Sequence, residues 1–275
     1  MDISIIIVNF NSGELLSHCI KSILQNIKGF SYEIIVVDNM SSDASFKQCW
    51  QLESPCLKLI QSGSNLGFSK ANNLGAKYAS GTILHFLNPD TTISESLNDD
   101  YCMILSNAAE NLPCVYVNPL KDRDGKIYYS RNALPGTNNL LRYYLCRETT
   151  KWYYIGATLI ISASNFNRIG KWNESFFMYG EDADIFCRIN RNHFRIIEMP
   201  SVIFHYGGGS SENTFTNIQR EILIQKSLRK YRKANQMSWF DFWIWQILVV
   251  LSFCRKPKRL WWQIKAIYLS FKVID

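Results

Sequence analysis

The sequence predicts an α/β domain on an open sheet covered by helices on both faces, followed by a basic, aromatic helical extension. Three observations predict it. Apolar β-branched runs alternate with helix-spaced segments over the first ninety residues, each run ends in Asn or Asp, and the excess positive charge lies in the last stretch of the chain. With 47% hydrophobic and only 19% charged residues, the chain holds ample material for a packed core, which excludes a disordered protein.

Ile3–Val8 is a β-branched strand, and the segment 12–25 places Leu15, Leu16, Cys19, Ile20, Ile23 and Leu24 at helical spacing. Glu33–Val37 is a second strand, with a helix opening at the Ser41-Ser42-Asp43 cap. Leu57–Ile60 is a third strand before a helix over Ser69–Ala79, and Thr82–Leu87 a fourth. Strands apolar at consecutive positions and alternating with helices imply a parallel sheet. Further on, Tyr153–Ser162 reads as a strand interrupted at Gly156-Ala157. A helix opens at Gly180-Glu181-Asp182-Ala183-Asp184, with Asp184 spaced to pair with Arg188, and Arg195–Phe204 reads as a strand leading to His205.

Polar residues stand beyond every early strand: Asn9 and Asn11, Asp38 and Asn39, Asn65-Leu66-Gly67, and Asn88-Pro89-Asp90. Ligands of open sheets bind beyond the carboxyl ends of the strands, so these residues predict one polar cleft. There is no G-x-G-x-x-G after the first strand and no P-loop, so phosphates are held without a glycine cradle. The acid after the fourth strand suggests a divalent cation with oxygen ligands, Mg2+ or Mn2+, to neutralise a diphosphate.

Eight dispersed cysteines without a C-x-x-C pair argue against zinc and disulfide scaffolds. No apolar run reaches the length of a spanning helix, and the N-terminus lacks the charged segment of a signal peptide, so a cytoplasmic location is expected.

Residues 1–219 carry 18 basic and 20 acidic side chains, whereas 220–275 carry 12 and 3. Residues 217–235 read as a basic amphipathic helix. Trp239–Leu251 and Leu260-Trp261-Trp262 flank Arg255-Lys256-Pro257-Lys258-Arg259, and five of the eight tryptophans fall between 239 and 262. Cations beside aromatic residues predict a peripheral anchor on an anionic membrane surface, through residues 220–275, at the inner face of the cell membrane. The competing reading is a homodimer helix. Nucleic acid is not expected, because the apolar run exceeds what phosphate contacts need.

The motifs Ile5-Ile6-Ile7-Val8-Asn9-Phe10-Asn11, Ile35-Val36-Val37-Asp38-Asn39, Asn65-Leu66-Gly67-Phe68, Phe86-Leu87-Asn88-Pro89-Asp90 and Phe177-Met178-Tyr179-Gly180-Glu181-Asp182 together resemble the family-2 inverting glycosyltransferases, particularly bacterial rhamnosyltransferase-like members. The resemblance covers roughly residues 3–210. It implies a GT-A, Rossmann-like mixed sheet flanked by helices, with residues 1–95 as the nucleotide-sugar half, 96–211 as the acceptor half and 212–275 as an extension. By position, Val8, Asn9, Asp38, Asn65, Gly67, Asn72 and Asn88 correspond to donor-binding residues, and Gly156 and Glu181 to acceptor-side residues. Asp90 and His205 correspond to metal ligands, with Asn88 replacing the first acid of the family's Asp-x-Asp. Asp182 matches the general base that takes the acceptor's hydroxyl proton.

The implied activity is transfer of a sugar, L-rhamnose from dTDP-rhamnose first, to a glycan or polyprenyl-diphosphate-linked acceptor in surface polysaccharide synthesis. Two alternatives stand beside it. A nucleotidyltransferase would normally carry a cationic loop after the first strand, and Asn9–Glu14 contains no cation; a catalytically silent sugar-nucleotide module would not require Asp38, Asp90 and Asp182 together.

Overall fold

The computed structural model describes residues 1–145, 151–207, 216–252 and 257–272. The strands are β1 (Ile3–Asn9), β2 (Tyr32–Asp38), β3 (Leu57–Gln61), β4 (Ile83–Leu87), β5 (Thr91–Thr92), β6 (Cys114–Val117), β7 (Leu120–Lys121), β8 (Ile127–Tyr128), β9 (Arg131–Ala133), β10 (Trp152–Tyr154), β11 (Thr158–Ser162), β12 (Arg195–Glu198) and β13 (Ile203–His205). The helices are α1 (Leu15–Asn26), α2 (Ser45–Cys49), α3 (Phe68–Lys77), α4 (Leu97–Ala109), α5 (Thr137–Leu145), α6 (Ala163–Arg168), α7 (Glu181–Arg191), α8 (Asn217–Ala234), α9 (Trp239–Ser252) and α10 (Pro257–Lys272).

Seven strands form the main sheet in the order β12-β6-β11-β4-β1-β2-β3. β1 pairs in parallel with β2 and β4, and β2 with β3. These early strands are parallel, as their alternation with helices predicts, and β11 runs antiparallel to both β4 and β6, which makes the whole sheet mixed, as the resemblance implies. All five residues of β11 are buried, so its apolar run carries no mark of direction.

The core divides across the two faces. Ile3, Ile5 and Ile7 meet Leu16, Ile20 and Ile23 of α1 and Tyr101 and Ile104 of α4. On the other face Ile6, Phe86 and Leu159 join Trp172, Ile185, Phe186 and Ile189. A side chain at Gly75 would lie 2.5 Å from Ile6 Cγ2, so the glycine lets α3 press onto the sheet. His85 sits inside β4, held between Tyr101 Oη at 2.7 Å and Thr158 Oγ1 at 2.9 Å, and desolvation lowers it to about 3, fixing it as a neutral structural histidine.

Two predicted strands are split. Tyr153–Ser162 becomes β10, which pairs with β9, and β11, which joins the main sheet. Arg195–Phe204 breaks after Glu198, where Pro200 has no N–H to donate. The second helix begins at Ser45 rather than at the Ser41–Asp43 cap, because those residues turn back onto the first loop: Ser42 N donates to Asn11 Oδ1 at 2.8 Å and Gly13 N to Asp43 Oδ2 at 2.9 Å.

The predicted basic helix forms as α8, but it does not face outward as an independent amphipathic element. It lies between α7 and α10, burying Gln225, Ser227 and Tyr231. Arg229 donates to Ser270 Oγ at 2.7 Å and Lys230 Nζ to Ser175 O at 3.0 Å, so these cations serve protein contacts.

Candidate active site

The strand ends converge with the segment before α7 on one cleft of about 250 Å³. Val8, Asn65, Gly67, Asn88, Asp90, Gly156, Glu181, Asp182 and His205 all line it. Nine predicted residues, scattered over two hundred positions, therefore share one cavity.

Asn9, Asp38 and Asn72 stand behind that lining. Asn9 is fully buried, its Nδ2 lying 2.9 Å from Asp38 Oδ1, 3.0 Å from Ser41 Oγ and 2.9 Å from Ser45 Oγ. Asp38 also accepts from Ser41 N at 3.2 Å. Asn72 donates to Phe68 O at 3.0 Å, one turn back in α3. Their polar atoms clamp the loops that carry the lining residues.

Two carboxylates open α7. Asp182 Oδ1 and Glu181 Oε2 are buried without a hydrogen-bond partner among the described residues. Desolvation raises Asp182 to about 7, opposed by the Gly156 N–H; desolvation and then the Asp182 charge raise Glu181 to about 8. The pair therefore gives up its protons in steps around neutral pH, where a general base is most effective. Gly156 is what lets Asp182 sit there: a Cβ on it would lie 2.5 Å from Asp182 Oδ1. Asp184, two residues on, faces away and takes Arg188 Nε at 2.8 Å, as the spacing predicts.

The segment before these acids is bent by two consecutive left-handed residues, Tyr179 (φ 64°) and Gly180 (φ 90°). A non-glycine residue in that region costs about 1–3 kcal/mol and persists where its surroundings hold it. Here Phe68 N donates to Phe177 O at 2.8 Å, and a side chain at Gly67 would lie 2.3 Å from that oxygen. Gly67, itself at φ 77°, is required on both counts.

Asp90 and His205 are joined through β5 and β13. His205 pairs with Thr91, Tyr206 N donates to Asp90 O at 2.9 Å, and His205 Nε2 comes to 3.4 Å from Asp90 Oδ1. Thr91 Oγ1 closes the Asn88-Pro89-Asp90 turn by donating to Asn88 O at 2.7 Å. Among the described residues no cluster of three or more His, Cys, Asp or Glu is placed to hold a metal. One carboxylate and one imidazole leave the remaining coordination positions to water and substrate oxygens. Such a pair could hold a divalent cation only together with water or substrate oxygens, and it does not fit a closed structural metal site.

Asn39, one of the strand-end residues that predict the cleft, lines it, whereas sequence reasoning missed the apolar wall. Asn39 also braces the third loop, its Nδ2 donating to Asn65 Oδ1 at 2.9 Å and its Oδ1 accepting from Leu66 N at 2.7 Å. Phe10, Phe68, Ile155, Phe177 and Met178 also line the cavity, and nothing local separates them from core residues. Of the sequence run Gly207-Gly208-Gly209-Ser210-Ser211 that follows Tyr206, the part after Gly207 lies outside the described residues, as do Cys146 and Cys254.

The model of the family described as "Glycosyl transferase family 2" matches residues 4–168. The chain is 32% identical over 210 residues to the low-salt glycan biosynthesis hexosyltransferase Agl10 of Haloferax volcanii, a match covering 71% of this chain and 64% of that protein. It is 24% identical over 213 residues to the N-acetylglucosaminyl-diphospho-decaprenol L-rhamnosyltransferase of Mycobacterium tuberculosis, covering 65% of this chain and 67% of that one. The crystal structure of S. aureus TarS residues 1–349 superposes with a TM-score of 0.61 at 17% identity, over 90% of this chain and 68% of that one, and supports the GT-A fold. The match covers more than half of the chain, which therefore belongs to glycosyl transferase family 2.

Proposed function

We propose that the protein is an inverting glycosyltransferase that moves a sugar, L-rhamnose from dTDP-rhamnose in the first instance, to a lipid-linked or saccharide acceptor in bacterial surface polysaccharide (O-antigen or capsule) synthesis. The observation that carries this reading is the pairing, across one cleft, of two buried carboxylates at α7 with the Asp90–His205 pair after β4. Residues 1–95 hold the nucleotide sugar in this reading, 96–211 the acceptor, and 212–275 hold the enzyme at the inner face of the membrane.

The acceptor hydroxyl oxygen bonds to the anomeric carbon as that carbon's bond to the diphosphate oxygen breaks, its electron pair leaving with the diphosphate. The hydroxyl proton passes to Asp182, and attack from the face opposite the leaving group inverts the anomeric centre. Glu181, one residue away, orients the acceptor. The described cleft lining contains no Lys or Arg, so a divalent cation held by Asp90 and His205 would supply the positive charge that stabilises the departing diphosphate. The rhamnose assignment draws on the mycobacterial relative, whose name specifies that sugar and a lipid diphosphate.

Transfer from a panel of dTDP-, UDP- and GDP-sugars, each with and without Mg2+ or Mn2+, tests the reading. Cation-dependent transfer from dTDP-rhamnose is the expected result. Transfer from another donor alone would replace the sugar, and no transfer from any donor would remove the function.

A further inference from the structure

The last helix of the extension is built with its polarity reversed. α10 buries Gln263, Ala266 and Ser270 and turns Trp261, Ile264, Tyr268 and Phe271 outward, each more than half exposed. On α9 the outward positions include Phe240, at 77% exposure, with Trp243, Ile247 and Leu251. Trp243 stacks on Phe271 with ring centroids 6.0 Å apart and joins the two rows into one face. Inside, one glutamine from each helix meets the others: Gln246 Nε2 donates to Gln225 Oε1 at 2.9 Å, and Gln225 Nε2 to Gln263 Oε1 at 3.3 Å. Helices assembled for water alone place such residues the other way round.

We infer that the joined outer faces of α9 and α10 form a lipid-docking surface, lying in the headgroup region of an anionic bilayer with both helices along the membrane plane. This deepens the functional reading above, in which the extension holds the enzyme at the membrane, by assigning the contact to the joined face of α9 and α10, with Arg229 and Arg232 of α8 at its border. Charge selects the occupant. Arg232 sits 3.8 Å from the Trp239 ring centroid, Arg229 4.5 Å from Phe271 and Lys265 4.5 Å from Trp261, so cations border the aromatic rows on both helices. Residues 220–275 carry a charge of +9. A second copy seated on this face would bring two such tails together, whereas anionic headgroups complement it. Among the described residues no helix is long and apolar enough to cross a membrane, which fits helices lying in the interface.

The test uses the full chain and the triple variant Phe240→Ser/Ile247→Ser/Ile264→Ser, with sedimentation against phosphatidylglycerol-containing and pure phosphatidylcholine vesicles. The wild type should bind the anionic vesicles, more weakly at high salt, and the variant should bind at least about tenfold more weakly. Hydrolysis of the nucleotide sugar in the absence of vesicles should be unchanged in the variant, which reports that it is folded. Equal binding of both proteins to anionic vesicles, or no binding of the wild type, overturns the proposal. So does a wild-type dimer in solution that the variant converts to monomer. Vesicle binding without sugar transfer would defeat the functional reading and leave this surface standing.

Discussion

Replacing Gly156 with alanine changes one methyl group at the point where the cleft is tightest. Its backbone is not in the left-handed region, so alanine is tolerated conformationally and the effect comes from the Cβ alone. That Cβ would lie 2.5 Å from Asp182 Oδ1, while ordinary contact begins near 3.4 Å. The carboxylate must therefore move by about 1 Å, and a misplacement of that size costs about 10²-fold in turnover, or about 2.7 kcal/mol. Folding should change little, because the displaced atom ends a side chain and Gly→Ala restricts the unfolded chain by about 0.4–1 kcal/mol in compensation. We expect kcat for glycosyl transfer to fall about a hundredfold in Gly156→Ala, with donor KM and Tm nearly unchanged. The same substitution in an Asp182→Asn background should add almost nothing, since both act on one group. Wild-type kcat in the single variant, or full additivity in the double, would refute this account of how Asp182 is positioned.

Asp182→Asn should itself lower kcat by about 10²–10⁴-fold while leaving donor KM near its original value, measured by initial rates. Activity should rise with pH through neutrality as the Glu181–Asp182 pair ionises, and a flat profile from pH 5 to 9 would exclude the pair as base. Stability runs the other way. Carboxyls whose folded pKa is raised stabilise the protein fully at low pH and lose that contribution as pH rises through about 7–8, so Asp182→Asn should melt higher than wild type at pH 9 and little differently at pH 4. Glu33 has the opposite sign: although burial opposes ionisation, Lys58, Ser4 and Ser80 hold it down to about 2, so its contribution is complete above about pH 4.5 and is lost as pH falls towards 2. Glu33→Gln should flatten that part of a thermal melt series. His205→Ala should weaken activation by Mn2+, measured as a higher cation concentration at half-maximal rate.

The alternation of strands and helices was legible because burial on both faces leaves an apolar run that no polar spacing interrupts. The same uniformity hid the direction of β11, since five buried residues read alike along either course. The polar lining of the cleft was legible at the strand ends, where Asn65, Asn88 and Asp90 stand beside turn-forming residues. Depth was not. Asn9 and Asn65 look equivalent in sequence, yet one amide is sealed among Asp38, Ser41 and Ser45 and the other lines the cavity. The tail's aromatic and basic composition was plain, but its inside and outside were settled by amides 21 and 38 residues apart that meet only when three helices assemble.

The contact between α8 and the segment before α7 bears on how the molecule melts. Ser227 Oγ donates to Met178 O at 2.9 Å, Asn235 Nδ2 to Asp184 Oδ1 at 3.1 Å, and Arg191 Nη2 to Asn235 O at 2.6 Å. Tyr231 is buried in the cluster that holds Phe186 and Ile189. The two sides of the composition change near residue 212 are therefore packed against each other. α7 and the first helix of the extension complete one another's interior, and heat should undo them in a single cooperative transition.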